Sequence, residues 1–124
     1  MGSSEDALRD ALDALMTAAE QAYRGQTGGI NVCQLQKDGR VTGGMKYVEG
    51  QLVTLTLLRR RLAGADGGNT RSAFGAAITD DLAVWRAALQ AQQRRTPPSV
   101  PWVAYCQGGV DALEQVLALA MGTP

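Results

Sequence analysis

The same tyrosine–glycine spacing occurs once in each half of this 124-residue chain. Tyrosine, glycine and leucine stand at positions i, i+3 and i+8, as Tyr47, Gly50 and Leu55 in the first segment and as Tyr105, Gly108 and Leu113 in the second. On a helix, residues i and i+3 are neighbours, so each segment places a ring one turn before a position without a side chain. Such a notch lets two helix backbones approach closely. We therefore expect helix–helix contacts at both points, either inside one molecule or between copies.

The composition favours helices over strands. A chain of this length can form one domain with its own core. Hydrophobic residues make up 45% of it and aromatic residues only 5%, and alanine and leucine, both strong helix formers, dominate the hydrophobic fraction.

The sequence contains no run of about 18 apolar residues, so no membrane span is predicted. Acidic residues stand where a secretory leader would carry basic and apolar ones, so a cytoplasmic location is expected.

Hydrophobic periodicity predicts an all-α, four-helix bundle-like fold in a single domain over residues 1–124. The expected helices span about residues 4–24, 44–63, 72–95 and 101–121. Gly25 is expected to end the first helix. The fourth helix is expected to turn Trp102 inward, on the same face as Gly109 and Leu113.

The second helix is the ambiguous one. Residues 53–57 alternate as a β-strand does and are rich in β-branched side chains. The longer stretch from Met45 to Leu62, however, carries apolar residues at helical spacing over more than four turns. Helix is therefore the prediction, and strand is the alternative.

The segment from residue 26 to residue 44 is rich in glycine and predicts a loop or a short β-hairpin between the first two helices. An Asp38-Gly39 turn between two short apolar stretches is a hairpin signal. Because an isolated hairpin is only marginally stable, Ile30, Val32 and Leu35 are expected to be buried. They would pack against a partner or against the end of the helices.

The chain has no histidine, which removes most catalytic arrangements. The commonest general base and metal ligand is missing, and neither a Ser-His nor a Cys-His nucleophile pair can form. Cys33 and Cys106 match no zinc-binding spacing, and the acidic pair Asp80–Asp81 is explained by a helix start. We therefore expect no catalysis, cofactor, metal or small-molecule substrate.

Charge is distributed unevenly, although the net charge is zero. Residues 1–23 carry five carboxylates against one arginine, whereas residues 24–61 carry seven cations against two carboxylates. A nucleic-acid-associated accessory protein, the alternative hypothesis, would contact phosphates through Arg59, Arg60, Arg61, Lys46, Arg94 and Arg95. The favoured interpretation of the arginine run is a solvated helix end that pairs with the acidic first helix.

The main functional hypothesis is a non-catalytic helical module for protein–protein interaction or assembly, forming a homo-oligomer. Its partner would be itself or another protein, through interface residues Tyr47, Gly50, Tyr105, Gly108, Ile30, Val32 and Leu35. The stretch from Tyr105 through Gly108 and Ala112 to Leu113 resembles segments of small helical phage and mobile-element proteins. This resemblance covers nine residues and implies no activity.

Overall fold

The computed structural model describes residues 4–27, 43–64 and 70–121. The four helices are α1 (Ser4–Thr27), α2 (Gly43–Ala63), α3 (Thr70–Gln93) and α4 (Val100–Ala120). The prediction of an all-α fold is confirmed, because no strand occurs in these three ranges. The predicted loop or hairpin falls mainly on residues 28–42, outside the described residues.

One local prediction is corrected and another is confirmed. Helix α1 does not end at Gly25 but continues to Thr27, because one glycine costs a helix only about 1 kcal/mol relative to alanine. Residues 53–57 are helical, so the prediction of a helix here is confirmed and the strand alternative is wrong. The Thr54 hydroxyl lies 3.2 Å from the Gly50 carbonyl oxygen and 3.0 Å from that of Gln51, so this buried β-branched residue satisfies its polar atom inside the helix.

All four helices contribute to one hydrophobic core. Helix α1 packs mainly on α2, α3 packs mainly on α4, and the most extensive contact joins α2 to α4. The largest fully buried hydrophobic side chains are Leu12, Met45, Leu58, Leu62, Ile78, Leu113 and Val116. The order of packing is therefore α1, α2, α4, α3, with the two tyrosine–glycine helices in the middle. None of the four described helices has a stretch both apolar enough and long enough to cross a membrane.

The two tyrosine–glycine notches meet each other inside the molecule. A Cβ added to Gly50 would overlap the carbonyl oxygen of Tyr105, and a Cβ added to Gly108 would overlap that of Tyr47. Each glycine thus lies against the backbone of the tyrosine in the other segment, so the contact is reciprocal. Both glycines are buried. The absence of two side chains is what allows α2 and α4 to come this close.

A third glycine extends the close packing to α3. The ring of Trp85 occupies the place where a Cβ on Gly109 would lie. The position equivalent to Gly109 in the first half of the chain, 58 residues earlier, is Gln51. The two halves therefore share the crossing of α2 and α4 but differ in how their outer helices pack.

Alanine substitutions at the notches test this packing. Gly50→Ala and Gly108→Ala should each lower the free energy of unfolding by about 1–3 kcal/mol, because a backbone atom occupies the space that the methyl group needs. Gly75→Ala is the matched control, since Gly75 lies inside α3 and a Cβ there would meet no heavy atom within 4 Å outside its own helical turn.

The control should instead gain up to about 1 kcal/mol from helix propensity. Urea unfolding monitored by circular dichroism measures all three changes. A gain in stability at Gly50 or Gly108 would contradict the close backbone contact.

Candidate functional site

Two shallow grooves flank the crossing of α2 and α4. The Tyr47 groove has a volume of about 400 Å³ and is lined by Tyr47, Pro98, Val100, Val103, Ala104 and Gln107. The Tyr105 groove has a volume of about 390 Å³ and is lined by Lys46, Glu49, Leu52, Val53, Trp102 and Tyr105. The grooves use equivalent positions of the two helices, because Ala104 and Gln107 correspond to Lys46 and Glu49. One groove is therefore neutral and the other carries an ion pair.

A hydrogen-bonded cluster holds the Tyr47 groove together. The Tyr47 hydroxyl donates to Asp111 Oδ2 at 2.6 Å, and Gln107 Nε2 donates to Asp111 Oδ1 at 2.7 Å. Burial, followed by the hydrogen bond to Asp111 and the charge of that carboxylate, raises the pKa of Tyr47 from 10.0 to about 12. The ring is thus kept neutral and fixed between α2 and α4.

The Tyr105 groove combines an ion pair with an edge-to-face pair of aromatic rings. Lys46 Nζ lies 2.9 Å from Glu49 Oε2 and 5.0 Å from the centroid of the Trp102 ring. The Tyr23 hydroxyl of α1 donates to the other oxygen of Glu49 at 3.2 Å. The Trp102 and Tyr105 rings meet edge to face with centroids 5.4 Å apart. This geometry is a favourable one for aromatic pairs, and the Lys46–Trp102 contact adds a cation–π attraction.

Large apolar side chains remain exposed on α2 and at the start of α4. The exposed fraction is 38% for Val53, 47% for Leu57, 45% for Trp102 and 70% for Val100. Val53 and Trp102 line the same groove, and Val100 lines the other. Clustered exposed apolar surface is characteristic of interaction sites, whereas single exposed residues are common on any protein.

The exposure of Trp102 corrects a prediction made from periodicity. Trp102 was expected inward because it shares a face with Gly109 and Leu113, and both of those are buried. It is, however, the third residue of α4, where the core no longer covers that face fully. Val53 and Leu57 were also missed as surface residues, although both lie off the core stripe from Met45 to Leu62 and the helical wheel contains that signal.

The basic residues proposed for phosphate contact lie in different environments. Arg61 Nη1 is 2.6 Å from Asp81 Oδ2 of α3, and Arg59 Nη1 is 3.6 Å from Asp13 Oδ1 of α1. Lys46 is engaged in the Tyr105 groove. Arg60, together with Arg94 and Arg95 just beyond the end of α3, is exposed. Ion pairs at such exposed positions contribute little stability. Binding of nucleic acid through these residues stays a prediction.

The described ranges contain no metal-binding cluster, and their one described cysteine is buried. Cys106 is buried, and its burial raises the pKa of the thiol, which disfavours the reactive thiolate. Within residues 4–27, 43–64 and 70–121, no three cysteine, aspartate or glutamate side chains lie close enough together to hold a metal ion. The expected helix start at Asp80–Asp81 is wrong, because α3 runs from Thr70 to Gln93 and contains both residues in its interior, and Asp81 pairs with Arg61.

The proposed interface residues fall into three groups. Gly50 and Gly108 are buried at the crossing, so a partner cannot reach them directly. Tyr47 and Tyr105 line the two grooves above the crossing. The remaining proposed residues, Ile30, Val32 and Leu35, lie outside the described residues. Binding of another protein at this surface stays a prediction.

No protein family model, no curated protein and no solved structure matches the chain.

The Tyr47–Asp111 contact predicts a specific loss of stability in alkali. The folded-state pKa of about 12 exceeds the ordinary value of 10.0, so between these pH values an unfolded chain loses the phenolic proton while the folded protein keeps it. The free energy of unfolding should fall as pH rises through this window, and Tyr47→Phe should make that decline shallower. Urea unfolding at a series of pH values measures it.

Tyr23→Phe is the matched control, because it leaves the Tyr47–Asp111 hydrogen bond intact and should keep most of the decline. An unchanged slope in Tyr47→Phe would show that this hydroxyl is not held as described.

Proposed function

We propose that this protein is a non-catalytic helical module that acts by protein–protein interaction, with another copy of itself as its first partner. The observation that carries the proposal is the apolar and aromatic surface left exposed on α2 and at the start of α4: Val53 and Trp102 in the Tyr105 groove, Val100 in the Tyr47 groove, and Leu57 further along α2. Burying such a surface against another protein removes apolar area from water, which is the dominant favourable term in association.

The make-up of the two grooves also supports a protein partner. Protein interfaces commonly have an apolar, aromatic centre with a polar rim, and tryptophan is enriched among their energetically dominant residues. Here Trp102 is nearly half exposed and has Lys46 and Glu49 beside it. Tyr47 and Tyr105 form groove walls that are already fixed, so little side-chain freedom would be lost on binding.

The tyrosine–glycine contact plays a supporting role in this proposal. It holds α2 and α4 together within one molecule and leaves their outer faces available to a partner. The sequence hypothesis that the same residues form the interface is therefore kept for Tyr47 and Tyr105, which line the grooves, while Gly50 and Gly108 position them.

Size-exclusion chromatography with multi-angle light scattering tests the proposal. The wild-type protein should show a mass above that of one 13.1 kDa chain, rising with concentration in the micromolar range. Trp102→Ala should weaken the association by about tenfold, as expected on truncating a central aromatic residue. Val84→Ala is the control, since Val84 is 68% exposed on α3 and lines neither groove. A protein that stays monomeric at high micromolar concentration would contradict self-association.

A further inference from the structure

Four residues form a continuous stripe on the outer face of α2. Glu49, Val53, Leu57 and Arg60 are spaced by four, four and three positions, so they lie on successive turns of one side of the helix. Val53 and Leu57 are 38% and 47% exposed, Arg60 is exposed and Glu49 is partly exposed. We call these four residues the α2 stripe. It runs from a partly exposed carboxylate that is paired with Lys46, through an exposed apolar centre, to an exposed basic end.

The neighbours of Arg60 show which way this face points. Arg59 pairs with Asp13 of α1, and Arg61 pairs with Asp81 of α3. Consecutive residues of a helix are about 100° apart, so Arg60 is directed away from the rest of the molecule. Only the middle arginine of the run therefore shares the exposed side of α2 with Val53 and Leu57.

We propose that two copies of this protein pair through the α2 stripe with their α2 helices antiparallel. This inference rests on the proposed function and names the surface and geometry of the self-association. A two-fold axis perpendicular to α2 reverses the order of the stripe, so Glu49 of each copy faces Arg60 of the other while Val53 and Leu57 meet in the centre. A parallel pairing would instead place Glu49 opposite Glu49 and Arg60 opposite Arg60. The charge order of the stripe thus selects the antiparallel pair.

The surroundings of the stripe suit such a contact. Trp102 lines the same groove as Val53 and widens the apolar centre on the side of α4. Glu49 already accepts hydrogen bonds from Tyr23 and Lys46, one on each oxygen. A carboxylate offers about four acceptor positions, so it can also receive the guanidinium of a second copy. Both copies would use the same surface in this two-fold contact, and two-fold symmetry is the commonest symmetry of homodimers.

Charge inversion tests the pairing. Arg60→Glu and Glu49→Arg should each weaken self-association by at least about tenfold, because each puts like charges opposite one another at both ends of the interface. An equimolar mixture of the two variants should restore association to within a few-fold of wild type, because opposite charges then face each other at both ends. Sedimentation-equilibrium measurements give the association constants.

Three further measurements make the test decisive. Leu57→Glu should abolish association by placing a charge in the apolar centre, whereas Val84→Glu on α3 should leave it unchanged. Thermal unfolding of each variant checks that the fold survives, which matters most for Glu49→Arg because Tyr23 and Lys46 contact Glu49.

The outcomes separate this inference from the proposed function. Self-association that all α2-stripe variants leave unchanged would overturn the antiparallel pair and keep the interaction module. Variants that are folded and weakened but do not recover on mixing would also overturn the pairing of Glu49 with Arg60. A wild-type protein that is monomeric at high micromolar concentration would overturn both.

Discussion

Close backbone contact between α2 and α4 is the constraint on which the rest of the molecule depends. Gly50 lies against the backbone of Tyr105, and Gly108 lies against that of Tyr47, so the two central helices are in backbone contact at both points. Helix α1 then packs on α2, and α3 packs on α4. Side chains on either side of the crossing cannot enter the contact, and they become the walls of the two grooves.

The same arrangement explains why some apolar residues are left outside the core. Helix α2 buries one side against α1 and another against α4, which uses the stripe that includes Leu55, Leu58 and Leu62. Val53 and Leu57 lie on the remaining side, where none of the other three helices covers them fully. The arginine run follows this geometry. Arg59 pairs with Asp13 of α1 and Arg61 pairs with Asp81 of α3, whereas Arg60, between them in sequence, is exposed on the outer face of α2. The exposure of Val53, Leu57 and Arg60 on the outer face of α2 thus results from the way α2 packs between α1 and α4.

The helices and the notches could be predicted from the sequence, because periodicity and the absence of a side chain are local properties. Which notch meets which could not, since the spacing fits contacts within a molecule and between copies equally well. Trp102 was misplaced because periodicity gives the direction of a side chain but not how far neighbouring helices extend along the axis. Gly25 failed as a helix end because its propensity cost is small beside the packing of α1. The pairing of Arg61 with Asp81 joins positions 20 residues apart and depends on the tertiary fold.

Isotope-filtered NMR of a mixture of labelled and unlabelled protein tests the central claim most directly. Contacts of the Gly50 α-protons with Tyr105, and of the Gly108 α-protons with Tyr47, should appear in the spectrum that selects pairs within one chain. They should be absent from the spectrum that selects pairs between chains, at any degree of association. Finding these glycine–tyrosine contacts between chains instead would contradict the account, because the notches would then be the interface rather than the support beneath it.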